Sequence, residues 1–424
     1  MQRRLDLRDA TTLGVASMIG AGAFTVLGPA TDAAGSGRGL LVALAVVAVV
    51  AWCNAWSSAR LAARHPSSGG TYVYGRAELG PWWGFSAGWC FVVGKTASCA
   101  AMATAFAAYA LPEGTAEPLR RVVAAAVVVG LTLLTTVGVT RTARAARAIV
   151  VVSLAGLLAA VVVGLSARGA AQPWWAAVDG SVGSVGPDAY GVAQAAGLLF
   201  FAFAGYARVA TLGEEVRDPE RTIPRAIGLA FAFVLGVYVL LALALLRGLG
   251  PTALAGSAAP LRELVDGAAW AVPLVVVGAG AASVGALLGL LAGIGRTALA
   301  MARDGELPRG LAALHPRHDV PHRAQLAVGG CVALLVLGLD LTEAVGFSSF
   351  GVLLYYLVAN LAALAMHRRA GRTPAVAVIG ALGCVALVAT LPLASVASGV
   401  AVVGLGLLTR AVRLSRTRPP GVVG

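Results

Sequence analysis

The sequence predicts an all-α integral membrane protein, and three observations lead there. Hydrophobic residues make up 58% of the 424-residue chain and charged residues only 12%, about half the charged share of a soluble domain. The apolar residues gather into long runs, not the ~10-residue alternating segments of a membrane β-barrel. The charges lie almost wholly between those runs.

Twelve runs have helix length, at 11–34, 38–62, 82–109, 119–138, 145–167, 189–213, 224–248, 268–295, 324–339, 344–366, 374–391 and 395–412. At ~1.5 Å per residue each can cross a ~30 Å hydrocarbon core, the ninth only just. The first run follows Arg3, Arg4 and Arg8, but it is too long for a signal peptide and lacks a small-residue cleavage site. It reads as a retained transmembrane helix. Residues 1–412 are then one membrane domain without a soluble module, and 413–424 a short basic tail.

The positive charges orient the chain. With the N-terminus inside, alternate connections hold 24 of the 32 lysines and arginines, and the opposite connections hold six. This asymmetry predicts both termini on the cytoplasmic side of the plasma membrane. The formal charge of +13 is thus an orientation signal, and the expected partner is the lipid bilayer, not nucleic acid. The remaining two cations, Lys95 and Arg208, fall within predicted helices and away from their ends. No acid falls convincingly at mid-membrane.

Several kinds of chemistry find no support. Cys53, Cys90, Cys99, Cys331 and Cys384 all lie in apolar runs without pairing or metal-ligand spacing, as packed thiols do. His315, His318 and His322 share a loop, but no cysteine or carboxylate pattern completes a metal site there. No G-x-x-x-x-G-K-[ST] loop is present to cradle ATP phosphates. No intramembrane nucleophile or carboxylate pair suggests an enzyme. A pump of this composition needs no cofactor beyond a bound proton or sodium ion.

Two runs carry glycine interruptions. Helix 1 reads Gly14-Val-Ala-Ser-Met-Ile-Gly-Ala-Gly-Ala-Phe24, with Gly20 and Gly22 near its middle. Helix 6 reads Phe200-Phe-Ala-Phe-Ala-Gly-Tyr206, around Gly205. Small residues can serve close helix packing, but two glycines flanking an alanine weaken a helix and suit an unwound stretch facing a cavity. Interruptions at matched places in two halves point to a transporter's central site. Helices 1 to 5 (11–167) and 6 to 10 (189–366) form the two repeats, with helices 11 and 12 (374–412) appended.

These segments resemble a known family. Ser17-Met-Ile-Gly-Ala-Gly-Ala-Phe24 is similar to the first-helix motif of the amino acid/polyamine/organocation superfamily. Phe200 to Ile223 resembles its sixth helix and following loop, including Glu214, Glu215 and an Asp218-Pro219-x-Arg221-x-x-Pro224 element. Gly295 to Pro308 resembles the signature after helix 8. The resemblance implies a leucine-transporter-type 5+5 inverted repeat, twelve helices, and secondary transport of amino acids or related amines.

Backbone chemistry at the breaks agrees. A substrate carboxylate can lie against N–H groups where helix 1 restarts, near Gly20, Ala21, Gly22 and Ala23. A substrate ammonium can meet carbonyls released at Met18, Ile19, Phe201, Ala202 and Ala204, beside Gly205. Phe201, Phe203 and Tyr206 are the candidate walls and gates. Relatives that couple to protons can place a lysine in helix 5; that position here is Ser153, which with Ser283 offers hydroxyls to a sodium ion.

Lys95 carries more information. It is the only lysine beside 31 arginines, and it lies thirteen residues from Trp82, at about mid-depth of helix 3. A buried lysine can give up its proton where an arginine hardly can. Lys95 is therefore either a proton carrier or carboxylate contact on the pathway, or a structural lysine bonded to carbonyls. Arg208, Glu214 and Glu215 are expected near the cytoplasmic mouth as gate residues. Two cations without intramembrane acids would repel a polycation, which favours a neutral zwitterionic amino acid over a polyamine. Exchange of amines or cationic amino acids, a sensor, and a channel are the competing readings. Oligomeric state is not legible in the sequence.

Overall fold

The computed structural model describes residues 5–65, 69–138, 143–166, 180–182, 188–210, 216–369, 371 and 374–417. Its secondary structure is helical, with no β-strand among the described residues. Among the described residues nine helices are long and apolar enough to cross a membrane. These are α4 (Gly37–Arg64), α6 (Pro81–Ala110), α7 (Glu117–Thr136), α8 (Ala143–Ser166), α9 (Ala189–Phe203, continuing to Ala210), α11 (Pro219–Gly248), α14 (Ala271–Arg303), α16 (Leu341–Arg368) and α18 (Leu393–Thr417).

Three expected spans take a different form. The runs at 324–339 and 374–391 are the shorter apolar helices α15 (His322–Gly338) and α17 (Ala375–Thr390). The first run is split into α1 (Leu7–Met18), α2 (Gly22–Thr25) and α3 (Leu27–Ala34). The run at 189–213 is also interrupted, its last part forming the short helix α10 (Ala207–Ala210), and connections that read as plain loops hold α5 (Gly70–Leu79), α12 (Gly250–Gly256) and α13 (Pro260–Val265).

Helix ends follow local chemistry. Asp340 caps α16 by accepting from the Glu343 amide, while Glu343 returns a bond to the Asp340 amide. Ser36 and Asp188 cap α4 and α9 in the same manner. Small residues set the interhelical distances. Gly94 of α6 and Gly351 of α16 bring their backbones together, and Gly156 of α8 lies against Gly278 of α14.

The connections gather on two faces. On one, Leu5 bridges to Val216, and Gly138 approaches His318. Three acids link helix ends on that face. Glu78 binds Arg369 at 2.8 Å and His65 at 2.8 Å, Arg76 binds Asp304 at 3.3 Å, and Glu306 binds Arg410 at 2.7 Å. On the opposite face, Val182 bonds Gly35, Thr252 meets Ser181, and Arg262 donates to the Leu111 carbonyl. The face with the ion pairs carries the arginine-rich connections of the sequence. Of the cysteines, Cys53, Cys90, Cys99 and Cys384 are buried, but Cys331 is exposed on α15, contrary to the packed-thiol expectation for all five.

Candidate functional site

The site lies where two helices stop. α1 ends at Met18; the Ile19 amide still bonds back to Val15, the Gly20 amide turns to the Met18 carbonyl at 3.0 Å, and helix resumes at Gly22. α9 ends at Phe203, and Ala204–Tyr206 form a single 3-10 turn before α10. The two breaks touch. A Cβ on Gly205 would fall on the Ser17 carbonyl oxygen, and a Cβ on Gly22 would lie 3.0 Å from the Ala202 backbone and from the Phe201 ring. Neither glycine has a positive φ, so both are small for the sake of approach, not of backbone freedom.

Carbonyls freed at the breaks have found donors. The Tyr238 hydroxyl of α11 lies 2.8 Å from the Met18 carbonyl and 3.1 Å from that of Ala202, sharing one proton between the two half-helices. The Ala204 carbonyl accepts from Lys95 Nζ at 3.4 Å and from the Tyr356 hydroxyl of α16 at 3.3 Å. Lys95 is 7% exposed, so its ammonium is turned into the bundle and onto the unwound turn. It sits both at the break and on a carbonyl, the two placements between which its sequence position does not choose.

The N–H side of the break is less fully used. The Ala23 amide donates to Gly20, whereas those of Ala21 and Gly22 meet no acceptor among the described residues. The void bounded by Gly22, Ala23, Ala202 and Tyr238 is about 10 Å³, room for about one water. This is a closed arrangement. Nothing larger than a water fits between the two broken segments as they stand.

The remaining candidates separate. Phe201 faces Gly22, but Phe203 packs between Phe231 at 5.5 Å and Tyr238 at 5.0 Å, away from the void. Tyr206 is fully buried with its ring 4.9 Å from Tyr356. Ser153 donates to Ile149 at 2.8 Å and reaches the Gly278 carbonyl at 3.3 Å; no hydrogen bond joins it to the buried Ser283. Arg208 is exposed on α10, and Glu214 and Glu215 lie outside the described residues. Among the described residues no cluster of histidine, cysteine or carboxylate groups could hold a metal.

Sequence reasoning missed Tyr238, Tyr356 and a buried amide pair. Asn360 of α16 donates to Asn54 of α4 at 2.6 Å and accepts from Ser57 at 2.6 Å. A tyrosine or asparagine inside a long apolar run was the available signal, because a polar group there needs a partner.

A sequence profile described as amino acid permease matches residues 5–409. An uncharacterized transporter of Mycobacterium tuberculosis is 55% identical over 99% of this chain and 93% of its own length. The branched-chain amino acid permease of Bacillus subtilis is 28% identical, covering 90% of this chain and 86% of its own. Human cationic amino acid transporter 4 is 30% identical over 84% of this chain and 58% of its own length.

Proposed function

The chain belongs to the amino acid permease family, and from that premise we propose that it is a secondary active transporter of neutral, zwitterionic amino acids working by alternating access. The observation that carries the proposal is the contact between the two broken segments, with Gly205 against Ser17 and Gly22 against Ala202. When the segments part, unpaired amides at Ala21 and Gly22 become available to a carboxylate, and carbonyls at Met18, Ala202 and Ala204 to an ammonium. The site then recognises a zwitterion through backbone groups alone.

The reading includes twelve membrane crossings in two inverted repeats plus two helices, with both termini cytoplasmic. Supporting it, the nine long helices, the two shorter ones and the broken first run add up to the expected segments, and the arginine-rich connections share one face. Proton coupling is assigned to Lys95. Protonated, its ammonium holds the Ala204 carbonyl and keeps the turn closed; after losing the proton to the other side, the neutral amine is a much weaker donor to that carbonyl, and the turn is released. Lysine can run this cycle and arginine cannot.

The relatives' names divide between branched-chain and cationic amino acids. Lys95 favours the former, because a substrate with a cationic side chain would share the low-dielectric centre with a like charge. Among the described residues the acids with buried carboxylates, Glu78 and Glu306, both lie at the face where they pair with Arg369 and Arg410, not at the breaks. The test is competition for labelled leucine uptake in proteoliposomes. Alanine and valine compete and putrescine and arginine do not; strong competition by arginine or putrescine overturns the substrate assignment in favour of a cation exchanger.

A further inference from the structure

The Asp218-Pro219-x-Arg221-x-x-Pro224 element has no part in the central site. Asp218 adopts a left-handed conformation (φ 47°), which aspartate tolerates better than most residues, and Pro219 starts α11 directly after it. This turn sets the first coils of α11 beside the end of α4. Between them lies a cavity of about 270 Å³, bounded by Trp52, Trp56 and Arg60 of α4 and by Glu220, Arg221 and Arg225 of α11.

Charge in the cavity is unbalanced. Three guanidinium groups face one carboxylate, and none of the three forms an ion pair with a described residue. Arg60 stands over the Trp56 ring, 5.4 Å from its centre, which holds its planar fork at the rim. Such forks match the geometry of phosphate oxygens. The volume is below that of a typical pocket for a drug-sized molecule but admits a glycerophosphate group.

What lies next to the cavity selects the source of the phosphate. Both walls belong to long apolar helices, and an exposed apolar stripe leads away from it along α4 at Trp52 (45% exposed), Val49 (55%), Val46 (37%) and Val42 (52%). Spacings of three and four residues put these side chains on one helix face. On α11 the stripe is continued by Leu229 and Phe233, both about half exposed. A soluble anion needs the arginines only; a lipid needs the arginines and then the stripe. Indole rings at the junction match the aromatic belt of a membrane interface.

We propose that this cavity binds the headgroup of an anionic phospholipid, with its acyl chains along the α4–α11 stripe. The ligand class is phosphodiester lipid, held by Arg221 and Arg225 with Arg60 at the rim. Each cation near an anionic headgroup is worth on the order of fivefold in binding.

The full chain, purified in detergent, tests this by native mass spectrometry with phosphatidylglycerol or phosphatidylcholine added at equal concentration. Phosphatidylglycerol is retained on the order of tenfold or more over phosphatidylcholine, and the Arg221→Gln/Arg225→Gln variant loses most of that preference. Equal retention of the two lipids overturns the proposal, as does a folded variant that keeps its preference. The wild-type arm decides even where the variant does not fold. Glycerol 3-phosphate at millimolar concentration leaves the bound lipid in place; displacement by it assigns the cavity to a soluble anion and overturns the lipid assignment.

Discussion

Lys95 and Tyr238 divide the work at the break between charge and neutrality. Tyr238 ties Met18 to Ala202 with a single neutral proton, so it links the half-helices whatever the ionic state of the site. Replacement by phenylalanine removes that donor from the buried Ala202 carbonyl and leaves Met18 with the Gly20 amide alone, at a cost of about 1–3 kcal/mol. Tyr238→Phe is therefore expected to lower the melting temperature of the purified protein and loosen the closed state. Lys95 differs in carrying a proton that a lysine can lose, which is the basis of the proposed coupling. Lys95→Met should abolish accumulation driven by a proton gradient yet preserve counterflow exchange of substrate, and Lys95→Arg should behave as the methionine variant does. Retained gradient-driven accumulation in Lys95→Arg would remove the proton-carrier role. The lone lysine was legible as a departure from the chain's use of arginine. Its partner was not, since which carbonyl Nζ meets depends on how α6 and α9 pack, and that is written in no single segment.

At the scale of elements, close approach is set by glycine and closure by ion pairs. Gly205 is pinned against Ser17, so Gly205→Ala must push α1 and the 3-10 turn apart. The expected outcome is a protein that inserts and purifies but transports at a small fraction of the wild-type rate, in an uptake assay normalised to protein. The ion pairs of Glu78, Asp304 and Glu306 lie elsewhere, at one end of the bundle. Glu306 has 8% and Arg410 5% of its side chain exposed, and burial pushes the Glu306 carboxyl above its ordinary range although Arg410 and Arg76 pull the other way. Removing one partner of such a pair costs about 3 kcal/mol, less if the survivor can shed its charge. In Arg410→Met the folded-state value of Glu306 stays above its unfolded one, so folding retains the proton and stability falls as pH rises. The melting-temperature deficit of Arg410→Met should thus be larger at pH 8 than at pH 5, and adding Glu306→Gln should recover part of it. An equal deficit at both values means that lost packing on Trp82 and Phe85, over which the guanidinium also sits, is the cause.

Element type was legible because long apolar runs in a chain with 12% charge leave few alternatives to helix. The interruptions at Gly20 and Gly205 were legible through composition. The short helix α5 was not, since its residues, from Gly70 to Leu79, alternate polar and apolar without a long run, and its place is fixed by Glu78 and Arg76 reaching α16 and the segment after α14.

For the whole molecule, the separation of connections onto two faces leaves most of the arginines on one of them, the basis of the proposed orientation. A fluorescent protein fused after the C-terminus should fold and fluoresce in the cytoplasm, and a periplasmic phosphatase at the same place should be inactive; the reverse pattern would invert the orientation. The shape also limits the substrate. A void of about 10 Å³ cannot hold an amino acid, so the proposed transport requires a cycle of opening and closing. That requirement makes one measurement decisive. Labelled leucine uptake is followed in proteoliposomes with an imposed inward proton gradient, for the wild type and for Lys95→Met. Proton coupling through Lys95 requires accumulation above equilibrium in the wild type, collapse when the gradient is dissipated, and none in Lys95→Met. Accumulation that is indifferent to the proton gradient, or undiminished in Lys95→Met, would contradict it.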